Sequence, residues 1–345
     1  MASVKNIKRR IASVGNTQKI MKAMDLVAAS KLQKAKSRLG GIRPLFDNMK
    51  SVMGGIKASI VGLELELNEE APPFTEKREV KSVAYIVLTS DRGLCGGFNV
   101  NVSKETLALI ESNEGTEEKI IAVGSKGWEY FRRRQKNVVK RYASASELTV
   151  FEDAEEIGTM VSNMYLSGEV DEVYLVYTHF ETVMSHTPCI EKLLPIRADS
   201  DISVASKIYT SSETNIAGGG NNNDVVAGEN NSGNNNNSGA NKSKLAGADT
   251  RDGTDDTSGN DYMTYEPDVK TFITLAVPMY LNTSLYAAMI ESTVCENASR
   301  MTSMDAAARN ANEIIDDLTL EYNRKRQGII TQEITEIVSG ANALT

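Results

Sequence analysis

The chain has 345 residues, of which 41% are hydrophobic and 24% charged, and its formal net charge is −8. The length suggests two domains or one large one, and the composition excludes a chain that is disordered throughout. The three cysteines, Cys95, Cys189 and Cys295, are far apart and odd in number, which excludes a disulfide framework and a CxxC metal or redox site. Only 6% of the residues are aromatic, which leaves room for long helices outside a large core.

The N-terminus is strongly basic, in contrast to the rest of the chain. Residues 1–57 hold 13 basic and two acidic side chains, a net charge of +11. No apolar core follows the first basic residues, which argues against a secretory signal. A transit peptide is the less favoured alternative, because the amphipathic pattern continues far past any plausible cleavage point. A basic arm on an acidic body predicts an acidic partner: nucleic acid, an anionic membrane surface or an acidic protein surface.

Apolar side chains recur at alternating steps of four and three along the first 60 residues, and only Gln18 and Asp25 interrupt them. This spacing predicts a coiled-coil helix, roughly 85 Å long at 1.5 Å per residue. An ordinary core-facing helix is the alternative, but the length without a cap or turn signal favours the coiled coil. Gly40, Gly41 and Pro44 predict a kink or a weak turn within it. The stripe comprises Ile7, Ile11, Val14, Met21, Ala28, Leu32, Ala35, Leu39, Ile42, Phe46, Met49, Met53, Ile56 and Ile60.

The C-terminal 60 residues show the same spacing with smaller side chains and a register slip between Lys325 and Gly328. Two long helices at opposite ends of a chain can bury their stripes against each other as an antiparallel pair. An uncharged run at 271–290 fits a membrane span poorly, because it contains Pro278, Asn282 and several hydroxyls. The predicted stripe comprises Met301, Met304, Ala308, Ala311, Ile315, Leu318 and Tyr322, followed by Ile330, Ile334, Ile337, Ala341 and Leu344.

The middle of the chain alternates between strand and helix patterns. Apolar β-rich runs at 83–90, 119–125, 137–139 and 171–178 predict strands, and 179–195 predicts an edge hairpin. Helical patterns lie between them, at Val102–Ile110, Lys126–Arg134 and Ala154–Leu166. The alternation predicts a mainly parallel sheet covered by helices, so the fold class is α/β plus long helices.

Residues 211–260 differ from both regions. They contain 12 Asn, nine Gly and six Ser, no aromatic residue and a net charge of −4. Such a segment buries too little apolar surface to offset ordering its backbone, which predicts a flexible insertion. The predicted domains are a helix at 1–60, a linker at 61–82, an α/β domain at 83–210, this insertion, and a helix at 261–345.

Few residues suggest chemistry. The loop Gly93–Gly97 follows a strand, as phosphate-binding loops do, but matches neither GxxxxGK[ST] nor GxGxxG. His179, His186 and Cys189 fit no compact zinc spacing, and no nucleophile motif is present. We therefore predict no catalytic, cofactor or metal site. A nucleotide-binding α/β enzyme using this loop and a nucleic-acid-binding basic coiled coil remain alternatives, although the arm lacks interleaved aromatic residues.

Four segments together resemble one family. They are IKRRIASVGNTQKIMKAMDLVAASKLQKAKSR at 7–38, SDRGLCGGFN at 90–99, YMTYEPD at 262–268 and RQGIITQEITEIVSGANAL at 326–344. With these segments the chain resembles the gamma subunit of rotary F-type ATP synthases, at both termini and in the central domain. The resemblance implies an antiparallel coiled coil of the terminal helices with a Rossmann-like α/β domain at its foot.

The resemblance also implies a function and partners. The coiled coil would be the central shaft within the catalytic hexamer of alpha and beta subunits, and the foot would sit with the epsilon subunit on the membrane c-ring. The shaft would couple c-ring rotation, driven by protons or sodium ions, to ATP synthesis or hydrolysis. It would be non-catalytic, without a cofactor or nucleic-acid partner. It would lie peripherally on the cytoplasmic face of a bacterial cell membrane, which it would touch only through the c-ring.

The resemblance further implies residues that contact the beta subunit. Met24, Arg326 and Gln327 match the positions that contact the catch loops of the beta subunits. The basic residues Arg9, Arg10, Lys19, Lys22 and Lys31 are weaker candidates for the acidic lever of the beta subunit, with simple solvation as the alternative. The insertion at 211–260 departs from the family pattern and contains no cysteine, so a disulfide switch there is not supported.

Overall fold

The computed structural model describes residues 4–66, 73–76, 78–143, 151–196 and 269–344. Two very long helices stand at the ends of the chain, α1 at Val4–Glu66 and α5 at Val269–Leu344. The predicted insertion at 211–260 and the YMTYEPD segment lie outside the described residues. The elements between the long helices are β1 (Ser82–Leu88), α2 (Phe98–Ser112), β2 (Glu117–Val123), α3 (Ser125–Arg133), β3 (Val138–Tyr142), α4 (Phe151–Leu166), β4 (Glu172–Phe180) and β5 (His186–Leu194).

The five strands form one sheet in the order β3-β2-β1-β4-β5. The strands β3, β2, β1 and β4 are mutually parallel, and β5 returns antiparallel to β4. The predicted parallel sheet and edge hairpin are therefore confirmed. β1 lies at the centre, and its residues Val83–Leu88 are all buried because both faces of the sheet are covered. Burial on both faces explains why its sequence is a continuous apolar run rather than an alternating one.

Successive residues of β1 point into two separate cores. Tyr85 and Val87 pack with Val102 of α2 and Phe131 of α3 on one face. On the other face, Ile86 and Leu88 belong to a larger core with α4 and α5, which contribute Ile157 and Val277, among others. This arrangement follows from the two-residue repeat of a strand. We call β1–β5 with α2–α4 the foot; α5 is both the outer layer of the foot and the continuation into the helix pair.

The helices α1 and α5 pair in antiparallel fashion, and we call this pair the shaft. Leu32 and Ala35 pack against Val294 and Ala298, whereas Gly15, earlier in α1, faces Ile315, later in α5. Every described side chain of the predicted α1 stripe is buried or half-buried, and so are those from Met301 to Tyr322 in α5. The polar stripe residue Gln18 donates its amide to Asn312 Oδ1, which pairs one polar group with another at the exposed border of the seam.

Of the kink or weak turn expected at Gly40, Gly41 and Pro44, the turn is wrong, since α1 runs without interruption through Pro44; the kink stays a prediction. Pro44 cannot donate to the carbonyl of Gly40, but both residues are exposed, so water can solvate that carbonyl. The neighbouring stripe residues Leu39 and Phe46 are half-buried. Packing against the rest of the molecule therefore outweighs the low helix propensity of these three residues.

The second part of the predicted C-terminal stripe is not buried within this chain. Ile330, Ile334 and Ile337 are 41%, 56% and 71% exposed. Continuing the pairing of Gly15 with Ile315 residue for residue, the described end of α1 at Val4 lies near Arg326. The rest of α5 extends about 27 Å further at 1.5 Å per residue. This part of the stripe is helical, as its periodicity predicts, but its side chains do not pack against α1.

By length and composition, one helical stretch, Thr271–Ser339, is apolar enough to cross a membrane. Its most apolar window is 61% buried within the protein. Side chains such as Ile273, Val277 and Leu281 of this stretch belong to the large core of the foot. The apolar character is thus that of a core helix, in line with the poor fit of the sequence to a membrane span.

Candidate functional site

The basic residues predicted on the early arm are distributed along the shaft. Arg9, Arg10, Lys19 and Lys22 are exposed, whereas Lys31 is half-buried. Burial raises the pKa of Glu296 in α5, and the positive charge of the nearby Lys31 opposes this effect. The four exposed residues therefore give a positive surface to the part of the shaft that lies away from the foot.

The three residues predicted to contact the beta subunit lie at two levels of the shaft. Arg326 and Gln327 are exposed on α5 at the height where the described part of α1 begins. Met24 is half-buried on α1. The residue-for-residue pairing places it opposite Ala306, about 20 residues or ~30 Å below Arg326. The structure therefore does not bring Met24 together with the other two residues in this chain.

The free end of α5 presents apolar side chains beyond the end of α1. Ile329, Ile330, Ile334, Ile337 and Val338 are all between 41% and 71% exposed. Single exposed apolar residues are ordinary, but a run of them on one unpaired helix marks a surface that another molecule covers. This end of the shaft is therefore a candidate contact surface, continuous with Arg326 and Gln327.

The middle of α5 is joined to the foot by a loop, residues 90–99, that we call the clasp loop. Ser299 Oγ of α5 donates to the carbonyl of Cys95 at 2.6 Å, and Arg300 reaches the carbonyl of Gly93 at 3.5 Å. Gly96 has φ +54°, and a Cβ there would lie 2.8 Å from Ser303 Oγ. Gly96 therefore allows the loop to approach α5 closely, and the nucleotide-binding alternative is not supported.

The clasp loop is also held from within. Asn99 accepts from the backbone N–H of Ser90 at 2.8 Å and donates to Ser90 Oγ at 2.7 Å. The side chains of Cys95 and Phe98 are buried with Cys295 of α5 in a small core of their own. Hydrogen bonds across the loop and apolar burial beneath it act together, so the loop has one shape against the shaft.

A second contact joins the end of β4 to the same part of α5. The carboxylate of Glu291 accepts from the backbone N–H of Phe180 at 3.0 Å and pairs with His179 Nδ1 at 2.8 Å. One helical turn on, Cys295 Sγ donates to the carbonyl of Thr178 at 3.4 Å. The strand end and the clasp loop thus grip α5 over residues 291–303, and we call these contacts together the junction.

Two carboxylates of the junction, those of Glu291 and Glu296, are largely shielded from solvent, with side chains 15% and 14% exposed. Burial raises the pKa of Glu291 above its ordinary value, against the opposing effects of the Phe180 N–H, His179 and Arg43 of α1. Burial also raises the pKa of Glu296, against the opposing effect of Arg300, whose Nη2 lies 2.7 Å away. Both carboxylates therefore bind a proton more readily in the folded protein than in the unfolded chain.

Replacement of Glu291 by glutamine is expected to remove part of the pH dependence of stability. A raised carboxyl pKa favours the folded state at low pH, and this contribution is lost as pH rises from 4.5 through the raised value. Glutamine keeps an acceptor for Phe180 but carries no charge. Urea unfolding at pH ~4.5 and ~7.5 should therefore show a smaller loss of stability with rising pH in E291Q. The exposed residue Glu313 on the same helix supplies the control E313Q; equal slopes in all three proteins would contradict the prediction.

The residues of the junction were not found from the sequence. The signal was present: Glu291, Glu296 and Arg300 are charged residues within an otherwise apolar and small-residue stretch of α5. Glu296 and Arg300 lie four residues apart on one face of the helix, whereas Glu291, five residues before Glu296, lies about 140° around it. Helical periodicity does not show which segment contacts this part of α5, because the clasp loop lies about 200 residues earlier in the chain.

The fold and the junction define a class of protein: a long pair of helices joined to an α/β foot, in which one helix continues beyond its partner as an exposed end. Comparisons with known proteins agree. A family model described as ATP synthase matches residues 3–344. The chain is 36% identical to the sodium ion specific ATP synthase gamma chain of Acetobacterium woodii, over 345 residues and 99% of each chain. It is also 36% identical to the ATP synthase gamma chain of Alkaliphilus metalliredigens, over 99% of this chain and 98% of that one.

Two solved structures share the fold. The central stalk and c-ring structure of the Tetrahymena thermophila mitochondrial ATP synthase contains a chain with TM-score 0.52 and 21% identity, covering 84% of this chain and 99% of that one. The rotor of the Euglena gracilis mitochondrial ATP synthase gives TM-score 0.56 and 16% identity, covering 95% and 98%. The chain belongs to the ATP synthase gamma-chain family, as the sequence motifs implied.

Proposed function

We propose that this chain is the central rotor shaft of an F-type ATP synthase. It turns with the c-ring and carries that rotation into the hexamer of alpha and beta subunits, where ATP is made or hydrolysed. The single observation that supports this most is the shape of α5. One helix is built into the foot at its start, is gripped by the junction in its middle, and ends as a bare helix about 27 Å beyond its partner.

A shaft of this kind is a non-catalytic subunit of an enzyme complex. Its foot meets the epsilon subunit and the c-ring, and its bare end enters the hexamer. The protein is therefore peripheral to the membrane and reaches it through the c-ring. The bacterial gamma chains to which it is similar support this placement, and we assign it to the cytoplasmic face of the bacterial cell membrane.

The contacts with the beta subunit belong to the exposed upper shaft. Arg326 and Gln327 lie beside the bare apolar end of α5, where a surrounding ring would touch them. Met24 forms a lower contact on α1. Arg9, Arg10, Lys19 and Lys22 offer exposed positive charge to an acidic lever, whereas Lys31 has its charge directed towards Glu296. Rim charges of this kind change association and its salt dependence more than affinity.

Loss of Arg326 and Gln327 tests the upper contact. The double variant R326A/Q327A, reconstituted with alpha and beta subunits, is expected to lower ATP hydrolysis about three- to tenfold, because an interface arginine is often a dominant contact. The control is R309A, which removes an exposed arginine of α5 paired only with Asp305. Equal activity of both variants and the parent would contradict the assigned contact, while absence of any complex with the parent chain would contradict the proposed function.

A further inference from the structure

The strongest concentration of positive charge in the foot lies at 126–141. This run holds seven basic side chains and one acid, Glu129, a net charge of +6 in a chain of net charge −8. It covers α3 and most of β3. Among the described residues β3 pairs only with β2, so it is an edge of the sheet. We call the surface formed by α3 and β3 the basic edge.

The lysines and arginines of the basic edge behave differently. Each of its three lysines pairs with a carboxylate: Lys126 with Glu129, Lys136 with Glu118 and Lys140 with Glu156, at 3.0, 3.5 and 2.8 Å. Its four arginines, Arg132, Arg133, Arg134 and Arg141, are exposed and form no ion pair within the described part of the chain. The charge that is not neutralised is therefore carried by guanidinium groups.

Aromatic rings hold three of these guanidinium groups in place. Arg132 and Arg141 both lie over Trp128, with Cζ atoms 4.8 and 5.0 Å from the ring centroid. Arg134 lies 3.6 Å from the centroid of Tyr130. Stacking of a guanidinium on an aromatic face is attractive and limits the motion of the planar fork. The donors of these groups are thus partly oriented before any ligand arrives.

Protection of a sheet edge alone does not explain this arrangement. Charged side chains, lysine above all, keep an open edge from pairing with another chain. Here the lysines are neutralised by carboxylates. Two positive guanidinium groups lie over the same indole ring, and a bound anion would reduce the repulsion between them. An arrangement of oriented and unneutralised arginines is suited to carboxylates, which accept bidentate hydrogen bonds from each fork.

We propose that the basic edge binds an extended acidic segment of a partner subunit, which adds a strand beside β3 and places carboxylates on Arg132, Arg134 and Arg141. The open edge supplies backbone donors and acceptors for such a strand, and the arginines supply the preference for acidic residues. Val139, 45% exposed, gives one apolar contact on the same strand. A lipid surface fits less well, because a membrane-binding surface needs several exposed apolar side chains. Within α3 and β3 as the structure describes them, Val139 is the only exposed large apolar residue.

This inference rests on the proposed function, because the partner is another subunit of the same assembly. Hydrogen exchange of the intact, membrane-extracted complex, compared with the purified chain, tests it. The amides of Val138–Tyr142 are expected to exchange about tenfold more slowly in the complex, since added strand pairing closes the edge. Unchanged exchange in a complex that hydrolyses ATP would overturn the proposal and leave the rotor function intact. Protection that appears only after anionic vesicles are added would overturn it in favour of a lipid ligand.

The double variant R132K/R141K separates docking from simple charge. Lysine keeps both positive charges but loses the planar fork and much of the stacking on Trp128. If the basic edge only repels other chains, this variant assembles like the parent, and that result would overturn the proposal. If it binds carboxylates, protection of β3 in the complex falls about threefold or more. The control is K104Q, at an exposed lysine of α2 in the same foot, which should leave protection unchanged.

Discussion

Alanine at position 124 is expected to destabilise the foot by about 3 to 5 kcal/mol, because it combines backbone strain with atomic overlap. Gly124 has φ +99°, and a Cβ there would lie 2.3 Å from the carbonyl oxygen of Thr89. That oxygen belongs to backbone, which cannot rotate away as a side chain can. The region is also held by hydrogen bonds, since Thr89 Oγ1 donates to Val123 O at 2.9 Å and accepts from Gly127 N at 2.9 Å.

A second glycine provides the matched control. Gly115 has nearly the same backbone conformation, φ +94°, but a Cβ added there would meet no atom within 4 Å. G115A should therefore show the strain alone, about 1 to 2 kcal/mol. Thermal and urea unfolding of the full chain would measure both. Equal losses of unfolding free energy in G124A and G115A would contradict the close contact between Gly124 and the carbonyl oxygen of Thr89.

Aspartate at position 32 is expected to separate the shaft helices near the foot. Leu32 is 6% exposed and packs on Val294 and Ala298, both fully buried. The substitution removes apolar contact and places a carboxylate without a partner in the seam, which costs about 3 to 5 kcal/mol. Because the helix pair is long and has few other anchors to the foot, the loss should spread along α1 as faster amide exchange.

The control for this change lies on the same helix. Leu26 is 71% exposed, so L26D changes the same residue type by the same charge without entering the seam. Its effect on stability should stay within about 0.5 kcal/mol. Circular dichroism melting with hydrogen exchange of α1 distinguishes the two variants. Identical melting of L32D and L26D would mean that the shaft is not held by the stripe that the sequence predicts.

Periodicity was sufficient for most of the architecture. The stripe from Ile7 to Met53 and the apolar strand runs are local patterns. They predict helix and strand directly, because each element buries the side chains that its own repeat places on one face. The weak turn expected at Pro44 was wrong for the converse reason. A proline and two glycines have a strong local preference, but packing of Leu39 and Phe46 decides the outcome, and that packing is not local.

Site residues were harder to predict for a physical reason. Arg326 and Gln327 are exposed in this chain, so any contact they make is with another subunit. The sequence pattern of one chain does not show where another subunit lies. Their contacts stay predictions, and so do the domain boundaries proposed from composition. The junction could have been suspected from the charged residues Glu291, Glu296 and Arg300 in an apolar helix. The order of the sheet, in which β1 lies beside β4, brings the end of β4 to Glu291 and the clasp loop after β1 to Arg300.

Rotation of the foot relative to the hexamer tests the central claim most directly. Met184 lies at the tip of the β4–β5 hairpin and is 81% exposed, so M184C offers a labelling site on the foot. With alpha and beta subunits immobilised, a probe on this residue is expected to turn in one direction when ATP is added, and to stop when ATP is removed. A probe that stays still while the same assembly hydrolyses ATP would contradict the account of this chain as a rotor shaft.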